Sequence, residues 1–144
     1  MTSKLIKIAL IGKTNAGKST LINNLIGEKI SIINKKINTT KDLIIGILNI
    51  EETQLIFYDT PGSSILKSNQ LSQKKLKINT WNAIERVDYI IYIIDVSKFN
   101  YELTVNELNK INETNKPIIL IFNKIDLINN KEILPYIDKI DKLN

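Results

Sequence analysis

The sequence predicts an α/β fold: a mostly parallel sheet with one antiparallel hairpin strand and helices on both faces. Three observations predict it. Short apolar, β-branched runs alternate with longer amphipathic segments. That alternation demands crossover connections, which leave neighbouring strands parallel. Polar clusters follow the first, third and fifth strands, at 12–19, 59–62 and 123–126, and in such sheets ligands gather at the carboxyl ends of strands. The chain has 144 residues, enough for one domain spanning 1–144.

Taken in order, Leu5 to Ile11 reads as a buried strand ended by Gly12. Ser19 to Ile26 follows as a helix with Leu21, Ile22, Leu25 and Ile26 on one face and Gly27 as its C-terminal cap. Residues 28–42 keep no steady period and read as an exposed loop. Leu43 to Ile50 and Gln54 to Tyr58 are close enough to pair as an antiparallel hairpin. Pro61 and Gly62 then break the chain. A helix is expected over 72–86, where Leu76, Thr80, Ala83 and Ile84 recur at helical spacing, with Val87 next. The run 89–94, YIIYII, is a buried strand. Residues 101–114 form a helix carrying Leu103, Leu108 and Ile111. Pro117 opens a strand over Ile118 to Phe122 that reads as fully buried, and a last helix covers Lys131 to Ile140.

Composition narrows the chemistry. Hydrophobic residues make up 43% of the chain, which supports a real core. There is neither cysteine nor histidine, so disulfides, thiolate or imidazole metal sites and a histidine general base are excluded. The N-terminus is too broken by Lys4 and Lys7 for a signal peptide, and a cytoplasmic chain is expected. The formal net charge of +5 goes with a general richness in Ile, Lys and Asn. Lys67, Lys74, Lys75 and Lys77 cluster without an interleaved aromatic platform, so a solvated helix face is a better reading of them than a nucleic-acid surface.

The chemistry lies at the strand ends. Gly12, Lys13, Thr14, Asn15, Ala16, Gly17, Lys18, Ser19 and Thr20 contain the pattern G-x-x-x-x-G-K-[ST], placed between a strand and a helix. Glycines allow close backbone approach, and successive N–H groups and the helix N-terminus favour phosphate. Lys18 can reach the β- and γ-phosphates, and Ser19 can offer its hydroxyl to Mg²⁺. The second cluster is Asp59, Thr60, Pro61 and Gly62. Asp59 would face the metal, directly or through water, and the Gly62 N–H could approach a γ-phosphate. The third is Asn123, Lys124 and Asp126. The Asp126 carboxylate can accept two hydrogen bonds from guanine, a donor pair that adenine lacks, while Asn123 braces the phosphate loop and the Lys124 stem lies over the base. In the loop between the first two clusters, Thr40 is favoured over Thr39 as the residue that reaches Mg²⁺ and a γ-phosphate, a switch arrangement.

These clusters, in this order, resemble a GTPase of the translation-factor-related class. The segments GKTNAGKSTLINNLIGEKISIINKKINTTKDLIIGILN, IFYDTPG, TWNAIERVDYIIYIIDV and PIILIFNKIDLINNKEILPYI are similar to the Era family of GTPases. The resemblance implies a P-loop NTPase G domain that binds GTP and GDP and slowly hydrolyses GTP with Mg²⁺. It implies partners in the small ribosomal subunit and its 16S rRNA, and a cytoplasmic place with peripheral contact at the inner membrane. It places Lys18, Thr40 and Gly62 around the reacting phosphate, Ser19, Thr40 and Asp59 at Mg²⁺, and Asn15 beside a potassium ion.

Three departures from the family pattern stand out. Thr14 replaces a usual proline. Ser63 follows DTPG where the family has an apolar residue, and neither is the glutamine that orients water in Ras-like enzymes. The sequence also ends at Asn144, where an Era G domain continues with a sixth strand, a Ser-Ala loop that touches guanine and a closing helix, followed by a KH RNA-binding domain. On that reading Ile118 to Phe122 becomes a sheet edge, the fold is marginal and the grip on nucleotide is loosened. The rival reading is accordingly a truncated, non-catalytic fragment with weak or no nucleotide binding.

Overall fold

The structure, a computed structural model, describes residues 4–27, 43–59 and 84–142. The expected 28–42 loop with Thr39 and Thr40, the residues Thr60, Pro61, Gly62 and Ser63, the four clustered lysines, and the expected helix before Ile84 all lie outside the described residues.

Among the described residues five strands and three α-helices follow in the order β1 (Lys4–Gly12), α1 (Lys18–Ile26), β2 (Leu43–Ile50), β3 (Thr53–Asp59), β4 (Tyr89–Asp95), α2 (Tyr101–Asn112), β5 (Ile118–Asn123) and α3 (Asn130–Asp141). They make one sheet of order β2-β3-β1-β4-β5. Strands β3, β1, β4 and β5 run parallel, and β2 pairs antiparallel with β3. The hairpin turns at Glu51, in the left-handed region at φ 51°. The parallel order brings the C-terminal ends of β1, β3, β4 and β5 to one edge of the sheet.

The side-chain alternation of the strands divides the core in two. On one face Ala9, Ile11, Ile90, Tyr92 and Ile94 pack with Leu108 and Ile111 of α2 and Ile140 of α3. On the other, Ile8, Leu10, Phe57, Ile91 and Ile93 pack with Ile22 of α1. Burying each large aliphatic or aromatic side chain contributes about 1.5–3 kcal/mol, so β1 and β4, covered on both faces, anchor the domain. Asp88 ties the start of β4 to β1: its Oδ2 accepts the Lys7 N–H at 2.8 Å, and its own N–H donates to the Lys7 carbonyl at 2.8 Å.

Three details correct the sequence reading. In α2 the buried stripe is Thr104, Leu108 and Ile111, at i, i+4 and i+7, and Leu103 is 38% exposed. The hydroxyl of Thr104 can occupy an apolar interface because it donates to the Asn100 carbonyl at 2.8 Å. In α1 Ile22 carries the packing while Leu25 is 47% exposed. Strand β5 is not fully buried as its apolar run suggests: it terminates the sheet among the described residues, in line with the edge expected from the resemblance, and Ile119 is 49% exposed. Ile119 shares a face with Ile121, which packs at the margin of the cluster that holds Ile22 of α1. Among the described residues no helix is long and apolar enough to cross a membrane.

Candidate functional site

Strand β1 ends at Gly12, and nothing larger fits there: a Cβ would stand 2.7 Å from the Ile93 carbonyl oxygen of the adjacent β4. The chain then loops over Lys13–Gly17 and enters α1 at Lys18. Two left-handed residues make the bend, Asn15 at φ 63° and Gly17 at φ 103°. Ala16 is buried beneath the loop and its N–H donates to the Lys13 carbonyl at 3.0 Å. The Lys18 ammonium donates to the carbonyls of Gly12 at 2.8 Å and Lys13 at 3.1 Å, across the loop at the N-terminus of α1. Burial pulls the Lys18 pKa below the usual lysine value, and the nearby Asp59 carboxylate partly opposes that shift.

Asp59 reaches the same place from the end of β3, where it stands opposite Leu10 of β1. Its Oδ1 is buried and has no hydrogen-bond partner among the described residues. Burial raises its pKa, with Lys18 acting in the opposite direction. A buried carboxylate oxygen with no donor is costly, and a cation is the group that would satisfy it. No cluster of three histidine, cysteine or acidic side chains that could hold a metal occurs among the described residues. A hard divalent ion here would therefore take the Ser19 hydroxyl and the Asp59 carboxylate from the protein, and oxygen ligands from phosphate and water.

The third contribution comes from the end of β5. Asn123 Nδ2 donates to the Ala16 carbonyl at 2.8 Å, which ties β5 to the phosphate-type loop. Lys124 then turns through the left-handed region at φ 64° into a short 3₁₀ turn, Ile125–Leu127, that carries the exposed Asp126. The Lys124 ammonium donates to the Asn15 carbonyl at 2.8 Å and to Asp95 Oδ2 at 2.6 Å. Desolvation acts to raise the Asp95 pKa, but the hydrogen bonds from Lys124 and Ser97 outweigh it and hold the carboxylate below its usual value.

A cleft of about 670 Å³ joins the three strand ends and is lined by Thr14, Asn15, Gly17, Lys18, Ser19, Thr20, Asp59, Asn123, Lys124 and Asp126. Gly12 and Ala16 are buried and do not line it, and Lys13 lines a separate cavity of about 80 Å³ with Tyr92, Asp95 and Thr104. The motif pattern of the sequence does not include Asp95. The available signal was its position: it closes the YIIYII run much as Asp59 closes LIFY.

The family described as 50S ribosome-binding GTPase matches residues 7–124. GTPase Era of Buchnera aphidicola subsp. Acyrthosiphon pisum is 42% identical over 139 residues, covering 94% of this chain and 47% of that protein. GTPase Era of Rickettsia conorii is 38% identical over 124 residues, covering 86% of this chain and 36% of that protein. A crystal structure of Era in complex with MgGDPNP and nucleotides 1506–1542 of 16S ribosomal RNA superposes with a TM-score of 0.72 at 37% identity, covering 98% of this chain and 48% of that one. The chain thus spans less than half the length of these relatives. With the match running from β1 to Lys124, the chain belongs to the 50S ribosome-binding GTPase family and within it is similar to Era.

Proposed function

We propose that this chain is a G domain that binds GTP and GDP and hydrolyses GTP with Mg²⁺. The observation that carries the proposal is the meeting of Lys18, Asp59 and Asp126 in one cleft, with their strands tied together by the bond from Asn123 to the Ala16 carbonyl. The loop's N–H groups and the N-terminus of α1 would receive the β-phosphate, and Lys18 would exchange its loop carbonyls for phosphate oxygens. Asp126 would read the guanine edge. Ser19 and Asp59 would hold Mg²⁺, which, when bound, neutralises charge on the β- and γ-phosphate oxygens. Thr40 and Gly62 complete the proposal as the positions that sense the γ-phosphate, and Asn15 as a potassium ligand.

The wider role proposed is Era-like: small-subunit assembly through 16S rRNA, carried out in the cytoplasm with peripheral contact at the inner membrane. Its support is the similarity to Era and the RNA-bound structure of that relative. Titration of the purified chain with GTP, GDP and ATP, with and without Mg²⁺, together with phosphate release from GTP, tests the biochemical part. Guanine preference with Mg²⁺-dependent phosphate release is the expected result. Guanine preference without turnover would leave a nucleotide-binding domain only, and equal affinity for ATP would overturn the reading.

A further inference from the structure

Asp95 divides its two carboxylate oxygens between two tasks. Oδ1 accepts the Ser97 N–H at 3.0 Å and the Ser97 hydroxyl at 2.5 Å, which caps the 3₁₀ turn Val96–Lys98. Oδ2 accepts the Lys124 ammonium at 2.6 Å, and the Asp95 side chain is only 7% exposed. Capping alone accounts for one oxygen, and serine, threonine or asparagine would serve there equally well. The second oxygen needs another explanation. Asp95 and Asn123 are register partners across β4 and β5, so the carboxylate stands beside the start of the Asn-Lys-x-Asp stretch. The same ammonium also donates to the Asn15 carbonyl, at 2.8 Å. The contacts form a chain from the end of β4, through Lys124, to the bend of the phosphate-type loop.

We propose that Asp95 is a positioning residue for nucleotide binding: it fixes Lys124 so that the lysine stem is set at the base end of the cleft while its ammonium holds the Asn15 carbonyl at the phosphate end. The proposal rests on reading the cleft as a guanine-nucleotide site. A free lysine has many rotamers, and freezing them in advance removes that cost from the binding step. Asn15, whose carbonyl accepts that bond, sits in the left-handed region at φ 63°, which asparagine adopts more readily than most residues.

Four chains titrated with GDP and ADP provide the test: the unmodified chain, Asp95→Asn, Lys124→Met and the double variant. Asp95→Asn keeps an oxygen for Ser97 and turns an NH₂ group toward the ammonium, so it separates positioning from capping. It should weaken GDP binding about tenfold or more, since the lost bond joins two charged groups. In the Lys124→Met background the same change should have almost no further effect, because the lysine through which Asp95 acts is gone. Ser97→Ala, which weakens the cap alone, should leave GDP affinity unchanged. A measurement without variants supports these: in the nucleotide-free chain the Lys124 amine should acylate more slowly than the exposed Lys131, followed by mass spectrometry. A chain that prefers GDP, yet whose Asp95→Asn loss is absent or equally large without Lys124, or whose Lys124 acylates as fast as Lys131, would overturn the role of Asp95 alone. A chain with no preference for GDP over ADP would overturn the site reading on which it rests.

Discussion

A Cβ at Gly17 would lie 2.1 Å from Asn123 Nδ2, so a residue of the phosphate-type loop and one at the end of β5 fit only because the first has no side chain. The Asn123 amide has little freedom to retreat, because it is bonded to the Ala16 carbonyl at 2.8 Å. Gly17 also sits at φ 103°, which L side chains rarely adopt. Gly17→Ala should therefore cost about 1–3 kcal/mol in backbone strain alone and open the tie between the two motifs. Melting temperature and GDP affinity, measured together, should both fall; an unchanged pair would show that the loop adjusts freely.

Asp126 lies at the other end of the cleft on an exposed 3₁₀ turn. Asp126→Asn replaces an acceptor oxygen with a donor facing guanine donors. The loss of GTP affinity should be about 1.5–3 kcal/mol, because the broken bonds involve a charged group. ATP affinity should barely change, so calorimetric titration with both nucleotides separates a lost base contact from general damage.

The half-buried Asp59 and Lys18 at the centre make stability depend on pH. The folded chain raises the Asp59 pKa above the ordinary 3.8, so the folded state holds that proton more tightly than the unfolded one. The resulting stability is present at low pH and is lost as pH rises from about 3.8 through the raised value. Lys18 shifts downward from 10.5, so its cost is carried near neutrality and relieved as pH rises from the lowered value towards 10.5. Asp59→Asn should flatten the acid-side slope of melting temperature against pH. In the presence of GDP, Mg²⁺ should raise the melting temperature of the unmodified chain and leave Asp59→Asn unmoved. An unaltered slope would mean that Asp59 is not a source of the acid-side dependence.

Much of this arrangement was legible in the sequence because it depends on local pattern. Apolar runs located β1, β4 and β5, and glycine spacing located the bend before α1. What escaped depends on phase and on neighbours. In α2 both Leu103 and Thr104 fit a helical stripe, and only the packing of α2 on β4 shows that the stripe begins at Thr104. The apolar run in β5 reads as fully buried by pattern alone, and only the family sheet order identifies it as an edge, which is where β5 lies among the described residues. Asp95 acquires its meaning from its pairing with Asn123, a register between strands that a single sequence does not display.

Asn15 gives a prediction about the medium. Its left-handed backbone places it on the wall of the cleft, close to where phosphate would lie. The proposed GTP hydrolysis should run faster in potassium than in sodium, with a monovalent cation supplying charge that an arginine finger supplies elsewhere. Asn15→Ala should remove the difference between the two salts. Phosphate release in each salt checks this, and a potassium advantage that survives the substitution would free Asn15 from the role.

Strand β5 supplies the last prediction. It ends the sheet among the described residues, and Ile118 to Phe122 contains no charged residue. Ile119 is 49% exposed, on the same face as Ile121. An apolar strand at the edge of a sheet is a template for another strand, and an inserted lysine is the usual protection. Ile119→Lys should reduce concentration-dependent association, at a stability cost below about 1 kcal/mol because the position is half open and strand preferences span little more than that. Leu25→Lys is the matched control, since Leu25 is 47% exposed but lies on α1. If association runs through the edge of β5, sedimentation velocity should show smaller species for Ile119→Lys and unchanged ones for Leu25→Lys. Equal effects from both would indicate contact between apolar surfaces in general, and no effect from Ile119→Lys would remove β5 as the site of association.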